Sequence, residues 1–231
     1  FRAAGVALET IRSALTMPAN PTKDLATPRW PSDIHRMTTP EVIPPYRLVR
    51  GTRPMLLSIP HVGTHIPEAL RGDYTDIALE LADTDWHLDR LYAFAQDLGA
   101  SVLQATHSRN VIDLNRPPDN QSLYPGQVTT GLCPTETFRG EPLYRPGRAP
   151  DAVETARRLD TCWRPYHEAL AIELARLKEL HGCALLWDAH SIASHLPRLF
   201  DGKLPDLNFG TAGGTSCAAS ILERVTARAQ G

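Results

Sequence analysis

Two apolar runs in this chain end in histidine. Residues 185–195, LLWDAHSIASH, pass from apolar side chains into Asp188 and His190, and residues 55–65, MLLSIPHVGTH, do the same at His61. A buried strand that delivers polar groups at its carboxyl end has this pattern. Because the carboxyl ends of neighbouring parallel strands meet at one edge of a sheet, the two histidines could share a metal ion there, and histidine is the commonest metal ligand.

A catalytic zinc site takes three protein ligands and keeps one position for water, so a third ligand is needed. The segment DTDWHLD offers Asp83, Asp85, His87 and Asp89. Either of the first two aspartates could instead cap the following helix, and His87 and Asp89 could face solvent. Spacing alone does not choose among them.

The segment HSRNVIDLNR, residues 107–116, contains two arginines that bracket the stretch 110–114. Arg109 and Arg116 suit bidentate binding of a carboxylate, so their position near a metal site indicates a small anionic substrate. Structural salt bridges are the alternative, and Asp113 could neutralise one of the two arginines. Alternation within the segment predicts a strand over residues 110–114.

The remaining pattern alternates strands with helices. Strands are predicted at residues 44–50, 54–59, 101–105, 110–114 and 183–187, and helices at residues 74–82, 86–98, 151–181 with a kink at Pro165, and 215–229. Residues 115–150 and 196–214 are predicted to be loops, and the first is expected to cover the substrate. Because the strands are apolar throughout, we expect an α/β fold with a parallel or mixed sheet covered on both faces.

Composition limits the classes of partner. The 231 residues include 24 basic and 26 acidic side chains, a formal net charge of -2, which does not favour nucleic acid. No apolar run could cross a bilayer and no signal peptide is visible, so we expect no membrane association and a cytoplasmic location. The four cysteines form no CxxC pair and are expected as reduced thiols, with Cys162 and Cys183 in the core.

The first 36 residues differ from the rest. Residues 6–15 could form a short helix, but proline then recurs without an apolar period, so residues 1–36 are expected to form a disordered or non-native arm. Met37 would then be the natural start of a single domain over residues 37–231.

Several long motifs together resemble the N-formylglutamate amidohydrolase (N-formylglutamate deformylase) family, from about residue 43 to the last helix. They are SIPHVGTHIP (58–67), DTDWHLDRLY (83–92), SRNVIDLNRPP (108–118), YPGQVTTGLCPTETFRGEPLYRPG (124–147), DAHSI (188–192) and PDLNFGT (205–211). The resemblance implies a three-layer α/β/α fold with a mixed, mostly parallel sheet, similar to zinc carboxypeptidases and aspartoacylase. It also implies one divalent metal ion, with zinc the first expectation, and hydrolysis of N-formyl-L-glutamate to formate and L-glutamate in histidine degradation.

Carried over by motif, the resemblance assigns site residues. The metal ligands would be His61, Asp85 and His190, and the substrate-binding residues would be Arg109, Asn115 and Arg116, with His195 in a possible substrate role. Members of the family continue past the last helix of this chain to a late glutamate. We therefore expect the general base to lie beyond Gly231, with Glu136 or Glu141 as a weaker substitute.

Two alternatives stay open from the sequence. One is a related N-acyl amino acid amidohydrolase, and the other is a catalytically impaired remnant that binds metal or ligand. The sequence predicts no oligomeric state.

Overall fold

A mixed four-stranded sheet organises the part of the chain that this computed structural model describes, residues 43–121 and 130–230. Its strands are β1 (Tyr46–Val49), β2 (Met55–Ile59), β3 (Ser101–Ala105) and β4 (Leu185–Asp188), in the order β1-β3-β2-β4. Strand β2 pairs in parallel with β3 on one side and β4 on the other, whereas β1 is antiparallel to β3. The predicted α/β class with a mixed sheet is confirmed.

The helices connect and cover these strands. They are α1 (Glu68–Arg71), α2 (Asp76–Leu79), α3 (Leu88–Leu91), α4 (Phe94–Asp97), α5 (Ala152–Arg158), α6 (Arg164–His181) and α7 (Ala219–Gln230), with a 3-10 turn at Ala212–Gly214. A π-helical turn, Leu159–Trp163, joins α5 to α6. Pro165 follows this turn as the second residue of α6, so the change in helical hydrogen bonding lies directly before the proline, which has no N–H to donate.

Apolar side chains pack on both faces of the sheet. On one face, Leu56 and Leu103 pack with Tyr166 and other residues of α6. On the other, Leu57 packs with Leu88 from α3, in a cluster that also includes Ala95 and Val102. Burial on both faces explains why β2 is buried nearly throughout, whereas the edge strand β1 alternates between half-buried and exposed residues.

A buried arginine fixes the segment that follows β3. Arg158 on α5 is 2% exposed, and its Nη1 donates to the Val111 carbonyl at 2.9 Å and the Tyr144 hydroxyl at 2.8 Å. Its Nε donates to Glu154 Oε1 at 2.8 Å, which supplies the opposite charge. The segment around Val111 is thereby tied to α5, because a buried guanidinium requires these acceptors.

The strand predicted at residues 110–114 is wrong. Those residues form turns whose side chains are all buried, and the Asp113 N–H donates to the Leu132 carbonyl at 2.7 Å instead of joining a ladder. The alternation in the sequence reflects burial on every side, which periodicity cannot distinguish from a strand.

Three smaller expectations also differ from the structure. The helix predicted at residues 86–98 is the two short helices α3 and α4, and Leu91 and Leu98 of its predicted apolar face are 63% and 64% exposed. The left-handed conformation of His87, with φ of 64°, stops the helix from starting at residue 86. The helix predicted at residues 74–82 shortens to α2, and Cys183 is exposed whereas Cys162 is buried.

The predicted arm at residues 1–36, including its helix at residues 6–15, lies outside the described residues. Within the described part of the chain, each helix is too short or too polar to cross a membrane.

Candidate active site

Strands β2 and β4 lie side by side, and each leads into one of the two histidines. Ser58 is directly opposite Asp188 in the parallel register, His61 follows β2, and His190 follows β4. The imidazole rings are 4.9 Å apart between centroids. The expectation that the two stretches meet at one sheet edge is therefore met in the fold.

The loop carrying His61 reaches this position through a close backbone approach. A Cβ at Gly63 would lie 2.2 Å from the His107 carbonyl oxygen, so only glycine fits there. The His65 N–H donates to the Thr106 carbonyl at 3.0 Å, which fixes the loop against the end of β3.

Asp85 lies between the two histidines. Its Oδ2 is 3.7 Å from His61 Nδ1 and 3.1 Å from His190 Nδ1, and ligand atoms of the three residues lie within 4.8 Å of one another. The Ser191 N–H donates to the same oxygen at 3.1 Å, and the Asp85 N–H donates to the His61 carbonyl at 3.0 Å. Within the described ranges, these are the three side chains that could together hold a metal ion.

The other polar residues of the segment 83–89 have different surroundings. His87 and Asp89 are exposed, and Asp83 accepts a hydrogen bond from the Phe138 N–H at 2.7 Å. Asp85 does not cap a helix, because the N-cap position of α3 is His87. The structure thus distinguishes Asp85 from Asp83, His87 and Asp89, among which sequence spacing did not choose.

The second ring nitrogen of each histidine, Nε2, contacts an aspartate. His61 Nε2 lies 2.8 Å from Asp113 Oδ1, and His190 Nε2 lies 3.0 Å from Asp188 Oδ2. A carboxylate at Nε2 holds a proton on that nitrogen, so each ring in its neutral form would offer Nδ1 to a metal ion. Two neutral imidazoles and one carboxylate form a donor set that fits a divalent metal ion such as zinc.

The two halves of the cluster differ in charge. Burial and the neighbouring Arg109 guanidinium lower the pKa of His61, and they outweigh the opposite effects of Asp113 and Asp85. Burial would lower the pKa of His190 as well, but Asp188 and Asp85 raise it to about 10. The two carboxylates around His190 thus favour a positive charge at this position.

Arg109 lies beside the ligand atoms. Its Nη2 donates to Asp113 Oδ2 at 2.7 Å, and its Nη1 is 3.4 Å from His61 Nδ1. Its guanidinium carbon is 4.6 Å from the centroid of the Phe138 ring. Although burial would raise the pKa of Asp113, Arg109 and His61 hold that pKa well below its ordinary value.

Asn115 and Arg116 lie further along the same segment as Arg109. Asn115 Nδ2 lies 3.3 Å from His190 Nε2. The Arg116 side chain donates to the Thr130 carbonyl at 2.8 Å, the Thr130 hydroxyl at 3.1 Å and the Asn115 carbonyl at 2.9 Å. In the part of the chain that the structure describes, no carboxylate pairs with Arg116. Its guanidinium is therefore held in place by neutral acceptors, and its positive charge also contributes to lowering the pKa of Asp113.

Comparison with known proteins identifies the family. The family model for N-formylglutamate amidohydrolase matches residues 53–231. The chain belongs to the N-formylglutamate amidohydrolase family. The resemblance inferred from the motifs is confirmed.

Two curated relatives are named N-formylglutamate deformylase. The protein from Pseudomonas putida is 54% identical over 176 residues, which cover 76% of this chain and 66% of the relative. The protein from Pseudomonas aeruginosa is 55% identical over 185 residues, which cover 79% of this chain and 69% of the relative. The chain thus spans about two thirds of the length of the curated relatives it matches.

Two solved structures share the fold. The N-formylglutamate amidohydrolase of Ralstonia eutropha superimposes with a TM-score of 0.68 at 24% identity, covering 81% of this chain and 74% of that chain. A gene product of Agrobacterium tumefaciens gives a TM-score of 0.54 at 19% identity, covering 74% of this chain and 64% of that chain. At these identities the likeness concerns the fold alone.

A cavity of about 310 Å³ adjoins the cluster in this family member. Thr84 and Ser191, the neighbours of two cluster residues, line it together with Trp86, Phe138 and Leu196. The cavity wall therefore combines apolar surface with residues next to Asp85 and His190 in the chain, and its lining does not include Arg109, Asn115 or Arg116.

Other residues proposed from the sequence have different surroundings in the described part of the chain. His195 is exposed. Glu136 forms an ion pair with Arg198, and Glu141 accepts a hydrogen bond from the Thr137 hydroxyl at 3.2 Å. Both glutamates are thus engaged in the loop at residues 135–141.

Sequence reasoning missed three contributors. Asp113 was considered only as a partner of an arginine, whereas it also binds His61. Ser58 and Tyr166 were not considered as parts of the site, although Ser58 Oγ donates to Asp188 Oδ1 at 2.7 Å and lies 2.9 Å from the Tyr166 hydroxyl. A signal for Ser58 was available, because a serine inside the apolar run MLLSI needs a buried partner.

Proposed function

We propose that this chain is a metal-dependent amidohydrolase that hydrolyses N-formyl-L-glutamate to formate and L-glutamate. The observation that carries the proposal is the convergence of His61 Nδ1, Asp85 Oδ2 and His190 Nδ1 beside Arg109. The 54% and 55% identity to proteins named N-formylglutamate deformylase supports the choice of substrate.

The metal would be held by His61, Asp85 and His190. A bound divalent ion supplies a Lewis acid that polarises the formyl carbonyl and lowers the pKa of water. We propose zinc, because two histidines and a carboxylate are a common catalytic zinc set. Iron, manganese and cobalt accept similar ligands.

The chain's own residues then divide between holding the ligands and binding the substrate. Asp113 and Asp188 fix the imidazole rings by accepting their Nε2 protons. Arg116 presents a cation without a carboxylate partner among the described residues, which suits a substrate carboxylate. Arg109 and Asn115 lie in the same segment, and His195 is a further candidate for substrate contact.

The general base stays a prediction. In the proposed mechanism a carboxylate takes a proton from water, and no residue of the cluster is assigned this role. Glu136 and Glu141 are weaker substitutes, because their carboxylates already bind Arg198 and Thr137.

Broader inferences rest on the family resemblance. We propose a three-layer α/β/α arrangement similar to zinc carboxypeptidases and aspartoacylase, which the helices on both faces of the sheet support. We also propose a role in histidine degradation and a cytoplasmic location. The domain would cover residues 37–231, preceded by the arm at residues 1–36.

A zinc-dependent formate-release assay tests the function. Wild-type chain, His61→Ala, His190→Ala and the control His87→Ala should be assayed with N-formyl-L-glutamate, alongside a zinc-binding measurement. We expect the first two substitutions to abolish zinc binding and formate release, and the exposed His87→Ala to retain both. Formate release that survives both substitutions would overturn the site. Zinc binding without formate release would favour the impaired remnant.

The motifs leave open a second candidate, a related N-acyl amino acid amidohydrolase. Rates with formyl-, acetyl- and succinyl-glutamate separate the two functions. Preference for a longer acyl group would replace the first proposal.

A further inference from the structure

A hydrogen-bond chain runs from helix α6 to His190. The Tyr166 hydroxyl lies 2.9 Å from Ser58 Oγ, Ser58 Oγ donates to Asp188 Oδ1 at 2.7 Å, and Asp188 Oδ2 lies 3.0 Å from His190 Nε2. These four residues come from α6, β2, β4 and the loop after β4.

The direction of the chain follows from the number of protons available. A serine hydroxyl has one proton, and Ser58 gives it to the Asp188 carboxylate. Tyr166 must therefore donate to Ser58 Oγ, and His190 Nε2 must donate to Asp188 from the other side. Both carboxylate oxygens of Asp188 are thus occupied by donors from opposite directions.

The matching aspartate on the His61 side is held differently. Asp113 has the Arg109 guanidinium on Oδ2 at 2.7 Å and the Asn115 N–H on Oδ1 at 2.9 Å. Among the residues that the structure describes, Asp188 has no arginine or lysine partner, and the neutral Ser58 hydroxyl holds its Oδ1. The orientation of Asp188 therefore depends strongly on the neutral Ser58 hydroxyl. The orientation of Asp113 depends mainly on the charged Arg109 guanidinium.

We propose that Ser58 and Tyr166 are positioning residues that fix Asp188 and, through it, the ring of His190. A carboxylate torsion is soft, so Asp188 without Ser58 loses the contact that sets its plane. Tyr166 is 1% exposed and packed in the core, so it transmits the rigidity of α6 to Ser58. The inference rests on the proposed function insofar as His190 binds a metal ion.

Zinc affinity tests the chain. Affinity is measured by competition with a chromophoric chelator for wild-type chain, Ser58→Ala and Tyr166→Phe. Partners that orient metal ligands typically contribute 10- to 100-fold to affinity, so Ser58→Ala should weaken zinc binding by about tenfold or more. Tyr166→Phe removes one more distant hydrogen bond and should weaken it by about threefold.

Ser101→Ala is a matched control. Ser101 is also a buried strand serine that donates to a buried carboxylate, Glu173 Oε1 at 2.5 Å, but that carboxylate does not contact His190. Melting followed by circular dichroism verifies that each variant is folded. We expect Ser101→Ala to lose stability and to retain wild-type zinc affinity.

A second readout does not need metal. The His190 Nε2–H proton, bound to Asp188, should give a downfield ¹H–¹⁵N resonance in the zinc-free chain, assigned by its absence in His190→Ala. We expect this resonance to shift or broaden in Ser58→Ala and Tyr166→Phe and to stay unchanged in Ser101→Ala. An unchanged resonance in Ser58→Ala, or equal zinc-affinity losses in Ser58→Ala and Ser101→Ala, would overturn the inference. If the wild-type chain binds no zinc, the metal proposal fails and the resonance alone decides the positioning role.

Discussion

Asp113 Oδ1 lies 2.8 Å from His61 Nε2 in the buried interior of the site. The other oxygen of Asp113 accepts from Arg109 at 2.7 Å. The Asp113 carboxylate therefore orients His61, a proposed metal ligand, and balances the positive charge of Arg109, a proposed substrate-binding residue.

Asp113→Asn should weaken zinc binding by about 10- to 100-fold, because a neutral amide is a poorer acceptor for the His61 N–H. It should also lower the free energy of unfolding by about 3 kcal/mol or more, because the buried Arg109 loses its partner. Chelator competition and denaturant unfolding measure the two effects. Asp160→Asn, which removes an exposed pair with Arg164, is the control and should change neither quantity appreciably. Wild-type zinc affinity in Asp113→Asn would contradict the orienting role.

Asp85→Asn should remove the third proposed ligand. The substitution keeps the size of the side chain but replaces an anionic oxygen donor, so zinc affinity should fall below detection at micromolar protein. Asp89→Asn, an exposed aspartate of the same segment, should bind zinc as the wild-type chain does. Equal zinc affinity in Asp85→Asn and the wild-type chain would exclude Asp85 from the site.

Arg116→Met should weaken substrate binding without affecting the metal. Loss of a charge-assisted hydrogen bond of about 1.5–3 kcal/mol corresponds to a roughly 10- to 100-fold rise in KM for N-formyl-L-glutamate. Arg116→Lys retains the charge without the planar fork and should give an intermediate KM. Steady-state kinetics in the same zinc-loaded protein measures both variants. Arg164→Met, an exposed arginine, serves as the control. A normal KM in Arg116→Met would place the substrate carboxylate elsewhere.

His167 should make folding sensitive to acid. Its ring is 6% exposed, Nε2 donates to the Leu114 carbonyl at 2.9 Å, and burial lowers its pKa from 6.5 to about 4. Between pH 6.5 and 4, His167 therefore binds a proton in the unfolded chain but not in the folded chain. Stability is therefore fully present above pH 6.5 and falls by up to about 3 kcal/mol as the pH drops to 4.

His167→Gln tests this dependence, because glutamine does not titrate in this range. Urea unfolding at several pH values should show a shallower acid loss in His167→Gln than in the wild-type chain, whereas the exposed His181→Gln should follow the wild-type curve. Parallel curves for wild type and His167→Gln would assign the acid sensitivity to other groups.

Local patterns in the sequence determined the strands that build the site. The apolar runs before His61 and His190 predicted β2 and β4, and their apolar character predicted a sheet covered on both faces. These features depend on hydrophobic burial of nearby residues, which leaves a periodic trace in the sequence. The linear motifs were also sufficient to identify the family, because each is one continuous stretch of the sequence.

Tertiary structure decided which polar residues meet. Asp85 differs from Asp83 and Asp89 only in where its side chain lies, and spacing carried no such information. Residues 110–114 alternate like a strand, but contacts with Arg158 and Leu132 from distant segments fold them into buried turns. The bonds between Asp113 and His61, and between Ser58 and Asp188, join residues 52 and 130 positions apart. Such pairings arise from chain topology and the need to satisfy buried polar groups, so they exist only once the sheet is assembled.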